Sequence, residues 1–302
     1  MARVLVAGLI NIETTLRVER FPLDYFPVTY PFGGVASRIS GVGLNVARAL
    51  QVLGHEVTLA AQIGRDPAGR WVRDQLARWH LDDSLVLDTL GATPQSVILH
   101  DPSGRRQIHV DLKTIQDTTY PAERLDPLWA SFNLAVLGNL NANRALLPIA
   151  RARHVPVATD VHAISDPDDA YNRDFMAAAD VLFLSHEQLP AVPEQAIADL
   201  RARYPAKIIV AGLGADGALL AHDDQPPHRL PAVAARPVVN TVGAGDALFA
   251  SFLHGWLHQH HPVKALRHAI VFAGWKIGET AASEGFLTAV ELAEKALELG
   301  VE

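Results

Sequence analysis

Cysteine is absent from the 302-residue chain, so neither a disulfide framework nor a thiolate metal site can form. Blocks of lysine and arginine are also missing, and the formal net charge of −7 argues against a nucleic-acid partner. No apolar run approaches the ~18 residues of a membrane span. The first residues, MARVLVAGLINIE, are typical of a strand and lack the cleavage site of a signal peptide. We therefore expect a cytoplasmic protein with no nucleic-acid or membrane partner.

Short apolar runs instead alternate with helical patterns along most of the chain. The runs are continuously apolar, as in strands covered on both faces, and lie at 3–9, 57–64, 133–139, 155–160, 180–185 and 207–212. The helical patterns lie at 43–53, 68–79, 143–153, 168–178 and 187–203. This alternation predicts one α/β domain over residues 1–302, with a doubly wound, mostly parallel sheet flanked by helices. Ligands bind such sheets at the carboxyl ends of the strands.

Two stretches interrupt the alternation with strands that carry exposed polar positions. They are 14–22 and 95–112, and the second contains the turn sequence DPSG between two runs. We expect both to emerge from strand ends and to form a small β-sheet lid over the ligand site, made from about 12–36 and 92–116. Two unrelated edge hairpins are the alternative. An open sheet edge invites pairing, so the lid is also the expected surface of a homodimer.

The stretch NTVGAGDALFASFLHGW, residues 240 to 256, places small residues and an acid before an apolar helix. A helix that begins near Gly245 leaves the amides of Gly243, Ala244 and Gly245 free at the positive end of its dipole. Such an end binds phosphate, and Asp246 could accept an alcohol proton beside it. The alternative is an ordinary helix start in which Asp246 only complements the dipole. Ser, Thr or Asn would then be the usual cap.

Other patterns point less clearly to a site. GLGADG (212–217) fits a dinucleotide motif, but the following ALLAHDD continues as a strand where that motif needs a helix. His254, His258 and His261 could share a helix face as metal ligands, although solvated surface is the commoner role at a helix end. Asp160 follows a strand and either assists a phosphate–metal site or caps the next turn.

Several segments together resemble the ribokinase-like carbohydrate kinases of the phosphofructokinase-B type. NTVGAGD is similar to their D-T-x-G-A-G-D signature. SGVGLNVARALQVLGHEVTLAAQIGRDPAG is similar to their other signature, with Ser40 where Gly is usual. VLVAGLINIE resembles the first strand, with Glu13 in place of Asp, and IIVAGLGADGALL resembles the nucleotide-site strands. The matching segments follow one another in order over nearly the whole chain.

This resemblance implies an ATP-dependent kinase that phosphorylates a hydroxyl of a sugar or sugar-like small molecule. Its roles carry over to matching positions: Asp246 as the base, the amides of Gly243, Ala244 and Gly245 as the anion hole, Asn11, Glu13, Gly41 and Asn45 as the acceptor pocket, and Gly212, Gly214 and Gly217 as the ATP segment. A nucleoside kinase on the same scaffold is the alternative, with Tyr30, Phe32 and Tyr120 as candidate walls for a base. A non-catalytic sugar or nucleotide sensor is the third reading.

The chain departs from the family pattern at two segments that bear on the binding of metal ions. The family's N-x-x-E falls on SHEQ, so Ser185 and Gln188 differ from it, and Glu187 would have to act from the neighbouring place. Mg²⁺ is still expected because a triphosphate needs its charge neutralised, with Asp160 and Glu187 as candidate metal residues. Asn240 replaces the acid before the anion hole, which bears on the monovalent cation that some members use.

Overall fold

A nine-stranded sheet forms the centre of the molecule in the computed structural model, which describes residues 1–223 and 225–301. Its strand order is β13-β12-β11-β10-β9-β8-β1-β4-β5. The strands are β1 (Arg3–Ala7), β4 (Glu56–Gly64), β5 (Val86–Leu90), β8 (Leu134–Leu137), β9 (Val157–Ala163), β10 (Val181–Ser185), β11 (Ile208–Gly212), β12 (Ala218–His222) and β13 (His228–Leu230).

The pairing is parallel from β5 through to β11, and only β12 and β13 join antiparallel at one edge. β1 lies between β4 and β8, so the chain first adds strands on one side of β1 and then on the other. Such a reversal opens a crevice at the carboxyl ends of the central strands. The predicted doubly wound, mostly parallel sheet is confirmed.

Helices cover both faces of this sheet and bury two apolar cores. They are α1 (Val42–Val52), α2 (Pro67–Arg78), α3 (Leu146–Ala152), α4 (Arg173–Ala178), α5 (Pro193–Arg203), α6 (Ala244–Gln259), α7 (Pro262–Lys276) and α8 (Ala289–Glu298). Val4 and Val6 of β1 face the core with α1, α2, α6, α7 and α8. Leu5 and Ala7 face the core with α3, α4 and α5. Alternate residues of one strand therefore serve opposite layers.

A second sheet, here called the small sheet, has four strands in the order β3-β2-β6-β7. They are β2 (Asn11–Arg17), β3 (Val35–Ser40), β6 (Gln95–His100) and β7 (Arg106–Asp111). β2–β3 and β6–β7 pair antiparallel, and β2 joins β6 in parallel. The two stretches expected from the sequence thus belong to one sheet rather than to unrelated hairpins.

Several predicted boundaries were wrong. The strand expected at 14–22 begins earlier, at Asn11, and ends at Arg17. The helix expected from 187 begins only at Pro193, because proline at the first helical turn starts a helix there. The helix expected at 143–153 is divided into a short 3₁₀ turn and α3. Within the described ranges, helices are too short or too polar to cross a membrane.

Candidate active site

The start of α6 presents bare peptide groups to an open space. Gly243 has φ +76°, and a Cβ there would lie 2.9 Å from the Cβ of Ala282, so only glycine fits. At the exposed Gly245, a Cβ would meet no described atom within 4 Å. Among described residues, no side chain caps this helix end. The amide of Ala244 donates to the carbonyl of Thr241 at 3.3 Å, so among described residues the amides of Gly243 and Gly245 are the predicted donors left for an anion at this helix start.

Asp246 lies in the first turn of α6 and is held by an amide from another helix. Nδ2 of Asn45 in α1 donates a hydrogen bond of 2.6 Å to Oδ2 of Asp246. Desolvation raises the pKa of Asp246 to about 6, and the nearby Asp160 carboxylate adds to the rise, while Asn45 opposes it. A carboxyl with such a pKa is ionised at neutral pH and basic enough to accept a proton.

Polar side chains from α1 and the small sheet form a pocket beside Asp246. Oγ of Ser40 lies 3.3 Å from Nδ2 of Asn45. Asn11 faces Ser40 across β2 and β3, and its Nδ2 donates to Oγ of Ser96 at 3.0 Å. Oδ1 of Asn11 is buried and has no hydrogen-bond partner among described residues. An unpaired buried acceptor is costly, so a ligand hydroxyl is its natural partner.

Gly41 sets the geometry of this pocket at the start of α1. Its φ is +110°, and a Cβ would lie 2.4 Å from the carbonyl oxygen of Leu9. The close approach packs the turn between β3 and α1 against the connection between β1 and β2, and four residues later Asn45 contacts Asp246. Ser40, which departs from the family pattern, contributes a hydroxyl to the pocket here.

Glu13 and Lys276 add opposite charges to the same region. Glu13 is buried, and desolvation raises its pKa, with Ser40 and Lys276 opposing the rise and Asp246 adding to it. Lys276, at the end of α7, is completely buried, and its Nζ donates to the carbonyl of Ala281 at 2.5 Å. Burial lowers the pKa of Lys276 to about 8. One buried ammonium therefore acts on two buried or half-buried carboxylates.

Hydrogen bonds within the protein hold the residues around Asn240. Nδ2 of Asn240 donates to the carbonyl of Thr280 at 3.0 Å, and its Oδ1 accepts from the amide of Val242 at 2.9 Å. The neighbouring carbonyl of Ala281 accepts from Lys276. A neutral amide and an ammonium thus supply the polar contacts of this segment.

The predicted ATP segment is the turn between β11 and β12. Nδ1 of His186 hydrogen-bonds with the carbonyl of Gly212 at 2.9 Å, and its ring packs beside Gly214. A Cβ at Gly217 would lie 2.0 Å from the carbonyl oxygen of Leu230, so strand packing alone requires that glycine. Gly212 and Gly214 remain at the carboxyl end of β11, beside the 185–188 segment.

The two candidate metal residues have different surroundings. Asp160 is largely buried beside Asp246 and also accepts a hydrogen bond from the amide of His162 at 2.8 Å. Glu187 is 62% exposed in a turn before α5, and Arg106 of β7 lies 3.8 Å from it. A largely buried carboxylate is a suitable oxygen ligand for Mg²⁺, so Asp160 fits better than Glu187.

Arg106 and Lys276 were not anticipated from the sequence. The Arg106 guanidinium donates to the hydroxyl and the carbonyl of Thr241, two residues before Gly243. It therefore ties the small sheet to the segment before α6. Arg106 lies in an exposed strand and belongs to no sequence motif, so no local pattern could have revealed this contact.

The predicted aromatic wall for a nucleoside base was wrong at one residue, Tyr120. Tyr120 is 1% exposed, belongs to a core cluster, and donates its hydroxyl to the carbonyl of Leu85 at 2.8 Å. Tyr30 and Phe32 are exposed and stack on each other with ring centroids 6.2 Å apart.

Comparisons with known proteins show the family of the chain. The pfkB family of carbohydrate kinases matches residues 1–289. Acarbose 7(IV)-phosphotransferase of an Actinoplanes species is 31% identical over 285 residues, which is 89% of each chain. ATP-dependent ribose-1-phosphate kinase of Halopiger xanaduensis is 29% identical over 89% of this chain and 90% of its own. A microbiome-derived acarbose kinase superposes with a TM-score of 0.88 at 24% identity, covering 98% and 99% of the two chains.

Fold and relatives together define a phosphotransferase with an alcohol group as acceptor. The chain belongs to the pfkB family of carbohydrate kinases. The predicted family and enzyme class are confirmed.

Proposed function

We propose that this protein transfers the γ-phosphoryl group of ATP to a hydroxyl of a sugar or sugar-like small molecule. The observation that carries the proposal is the ionisable Asp246, with a raised pKa, at the open amide end of α6. A base beside an anion-binding helix start is the arrangement that phosphoryl transfer to an alcohol requires.

In the proposed reaction, the acceptor oxygen attacks the γ-phosphorus in line, the bond between the γ-phosphorus and the β–γ bridging oxygen breaks, and ADP leaves while Asp246 takes the acceptor's proton. The amides of Gly243 and Gly245 hold the phosphoryl oxygens as negative charge develops on them. Mg²⁺, when bound with ATP, would neutralise phosphate charge, and Asp160 is the residue best suited to hold it. Gly212 and Gly214 would lie beside the rest of the nucleotide.

Lys276 is proposed as the fixed positive charge of the site. Its ammonium favours the ionised forms of Asp246 and Glu13. It also donates to Ala281, next to the Ala282 that packs against Gly243. These contacts stabilise the loop beneath the anion hole without an alkali ion, so we propose catalysis that needs no added monovalent cation.

The pocket chemistry favours a polyhydroxylated acceptor. Asn11 offers a free buried oxygen, and Glu13 and Asn45 can accept or donate to neighbouring hydroxyls. The nucleoside alternative is supported by one observation, the exposed aromatic stack of Tyr30 and Phe32 between β2 and β3. Such a stack could receive a base if the small sheet closes over the site as a lid.

We further propose that the chain is a homodimer through the small sheet. All residues of the edge strand β7 are exposed, and its backbone edge is open. Val35 of β3 and Val97 of β6 add exposed apolar surface. Open edges with apolar side chains favour pairing with a second copy.

The test is ADP release measured with a panel of ribose, fructose, acarbose, adenosine and cytidine, with Asp246→Asn as the control enzyme. Rapid, saturable turnover with a sugar, strongly reduced in the variant, is the expected result. Preference for a nucleoside would establish the alternative acceptor class. Turnover that persists in Asp246→Asn would remove Asp246 from the mechanism.

A further inference from the structure

Three histidines meet on the side of the molecule away from the base. His254 and His258 lie one turn apart on α6, and His55 lies between α1 and β4. Their ring centroids are 5.1, 5.1 and 4.6 Å apart, and each offers a nitrogen within 4.8 Å of the others. The sequence predicted a cluster of His254, His258 and His261. That prediction was wrong at one residue, because His55 and not His261 lies beside the other two.

We propose that His55, His254 and His258 form a binding site for a divalent transition metal, with Zn²⁺ as the best-fitting ion. Imidazole nitrogens suit zinc, copper, nickel and cobalt, whereas Mg²⁺ and Ca²⁺ prefer oxygen. Three histidines with an open fourth position are a known zinc ligand set. This proposal does not depend on the proposed reaction.

Two of the three rings are already in direct contact. Nε2 of His55 and Nδ1 of His254 share a hydrogen bond of 2.9 Å, which a bound metal would replace.

The burial of the three side chains provides both rigidity and access. His55 is 5% exposed, His254 is half-buried and His258 is exposed, so an ion can enter from the His258 side and keep a water ligand.

The site would join two elements at a distance from the chemistry. His254 lies eight residues after Asp246, which at ~1.5 Å per residue is about 12 Å along α6. A bound ion would tie α6 to the connection between α1 and β4. We therefore expect metal to raise thermal stability more than to change turnover.

Zinc binding by calorimetry, after removal of metal with EDTA and without ATP, tests this proposal. The wild-type chain should bind one Zn²⁺, and Co²⁺ should give the absorption bands of a tetrahedral nitrogen site. His258→Gln changes an exposed residue and should weaken binding by at least about 10–100-fold. His260→Gln is the matched control at the same helix end, where His260 packs on Trp256 instead.

The melting temperature supplies a second measurement. Zn²⁺ should raise it in the wild-type chain and in His260→Gln, but not in His258→Gln. No saturable binding by the wild-type chain would overturn the proposal and leave a hydrogen-bonded pair of histidines. Equal binding by His258→Gln and the wild-type chain would also overturn it, because the ion would then be bound elsewhere.

Discussion

Asp246, Asn45 and Lys276 come from three different helices and meet at the start of α6. Asn45 fixes one carboxylate oxygen of Asp246, which leaves the other for the incoming hydroxyl. The Lys276 ammonium favours the ionised form of Asp246 and so lowers the pKa of that carboxyl. Each side chain therefore has a separate, testable effect on the proton transfer.

We expect Asp246→Asn to lower kcat by about 10²–10⁴, with little change in acceptor affinity, because only proton acceptance is lost. Initial rates over a range of acceptor concentrations measure both quantities. Asp74→Asn, which changes an exposed carboxylate on α2, should behave as wild type. A mainly KM effect would indicate that Asp246 binds the acceptor rather than acting as the base.

The pH dependence of the wild-type enzyme should report the raised pKa of Asp246. The base is active when ionised, so kcat/KM should be half-maximal near pH 6, rise toward neutral pH and fall as the pH drops below that value. A rate profile between pH 4.5 and 8.5, with stability checked separately, measures this. If kcat/KM instead fell only near the ordinary pKa of aspartate, the claim that desolvation raises the pKa of Asp246 would be contradicted.

Lys276→Met should move that acid limb to higher pH, because removal of the ammonium favours protonated Asp246 and Glu13. Lys264→Met, on the same helix but exposed, is the control. In the wild-type enzyme, replacement of K⁺ by tetramethylammonium should leave the rate unchanged. A strong requirement for K⁺ would show that Lys276 does not fill the role of a fixed cation.

Helix α6 and the small sheet are the elements that assemble the site. α6 carries Asp246 at its start and the histidine cluster in its second half. The small sheet carries Asn11 and Glu13 on β2, and Ser96 is opposite Glu13 on β6. Arg106 of β7 contacts Thr241, just before α6, and Glu187, in the turn before α5.

Arg106→Gln should lower kcat/KM by about tenfold, because the small sheet would no longer be held over the anion hole in one geometry. Arg105→Gln is a matched control, since that neighbouring guanidinium packs over Phe21 instead. Steady-state kinetics with varied ATP and varied acceptor measure the effect. Identical kinetics for the two variants would show that the Arg106 contact does not hold the small sheet over the anion hole.

The whole molecule combines a rigid central sheet with a partly exposed small sheet. The large sheet is covered on both faces by helices. The small sheet leaves the side chains and the backbone of β7 open. Association through that surface would cover apolar residues without blocking the helices.

Light scattering coupled to size-exclusion chromatography should therefore give the mass of a dimer. Val97→Asp places a charge on the small sheet, where Val97 is 44% exposed, and should shift the chain toward the monomer. Val290→Asp on α8, where the side chain is 67% exposed, should leave the mass unchanged. A monomeric wild-type chain would refute the proposed dimer.

The sequence could predict the fold because strand and helix periodicities and the turn at Gly243 act over short distances. It also predicted that Asp246 follows an amide-rich helix start, since both belong to one segment. It could not predict Lys276, Arg106 or His55. Their partners are distant in sequence, and only the packing of α7, β7 and the α1–β4 connection brings them together.

The amino-acid sequence alone thus determined the order of the elements, the family and the residues of the anion-hole segment. Only the tertiary structure decided which distant charges meet there, because desolvation and Coulomb interactions depend on distances through space. The same reason explains why a single run of residues indicated Asp246, while the raised pKa of its carboxyl required the burial that the folded chain provides.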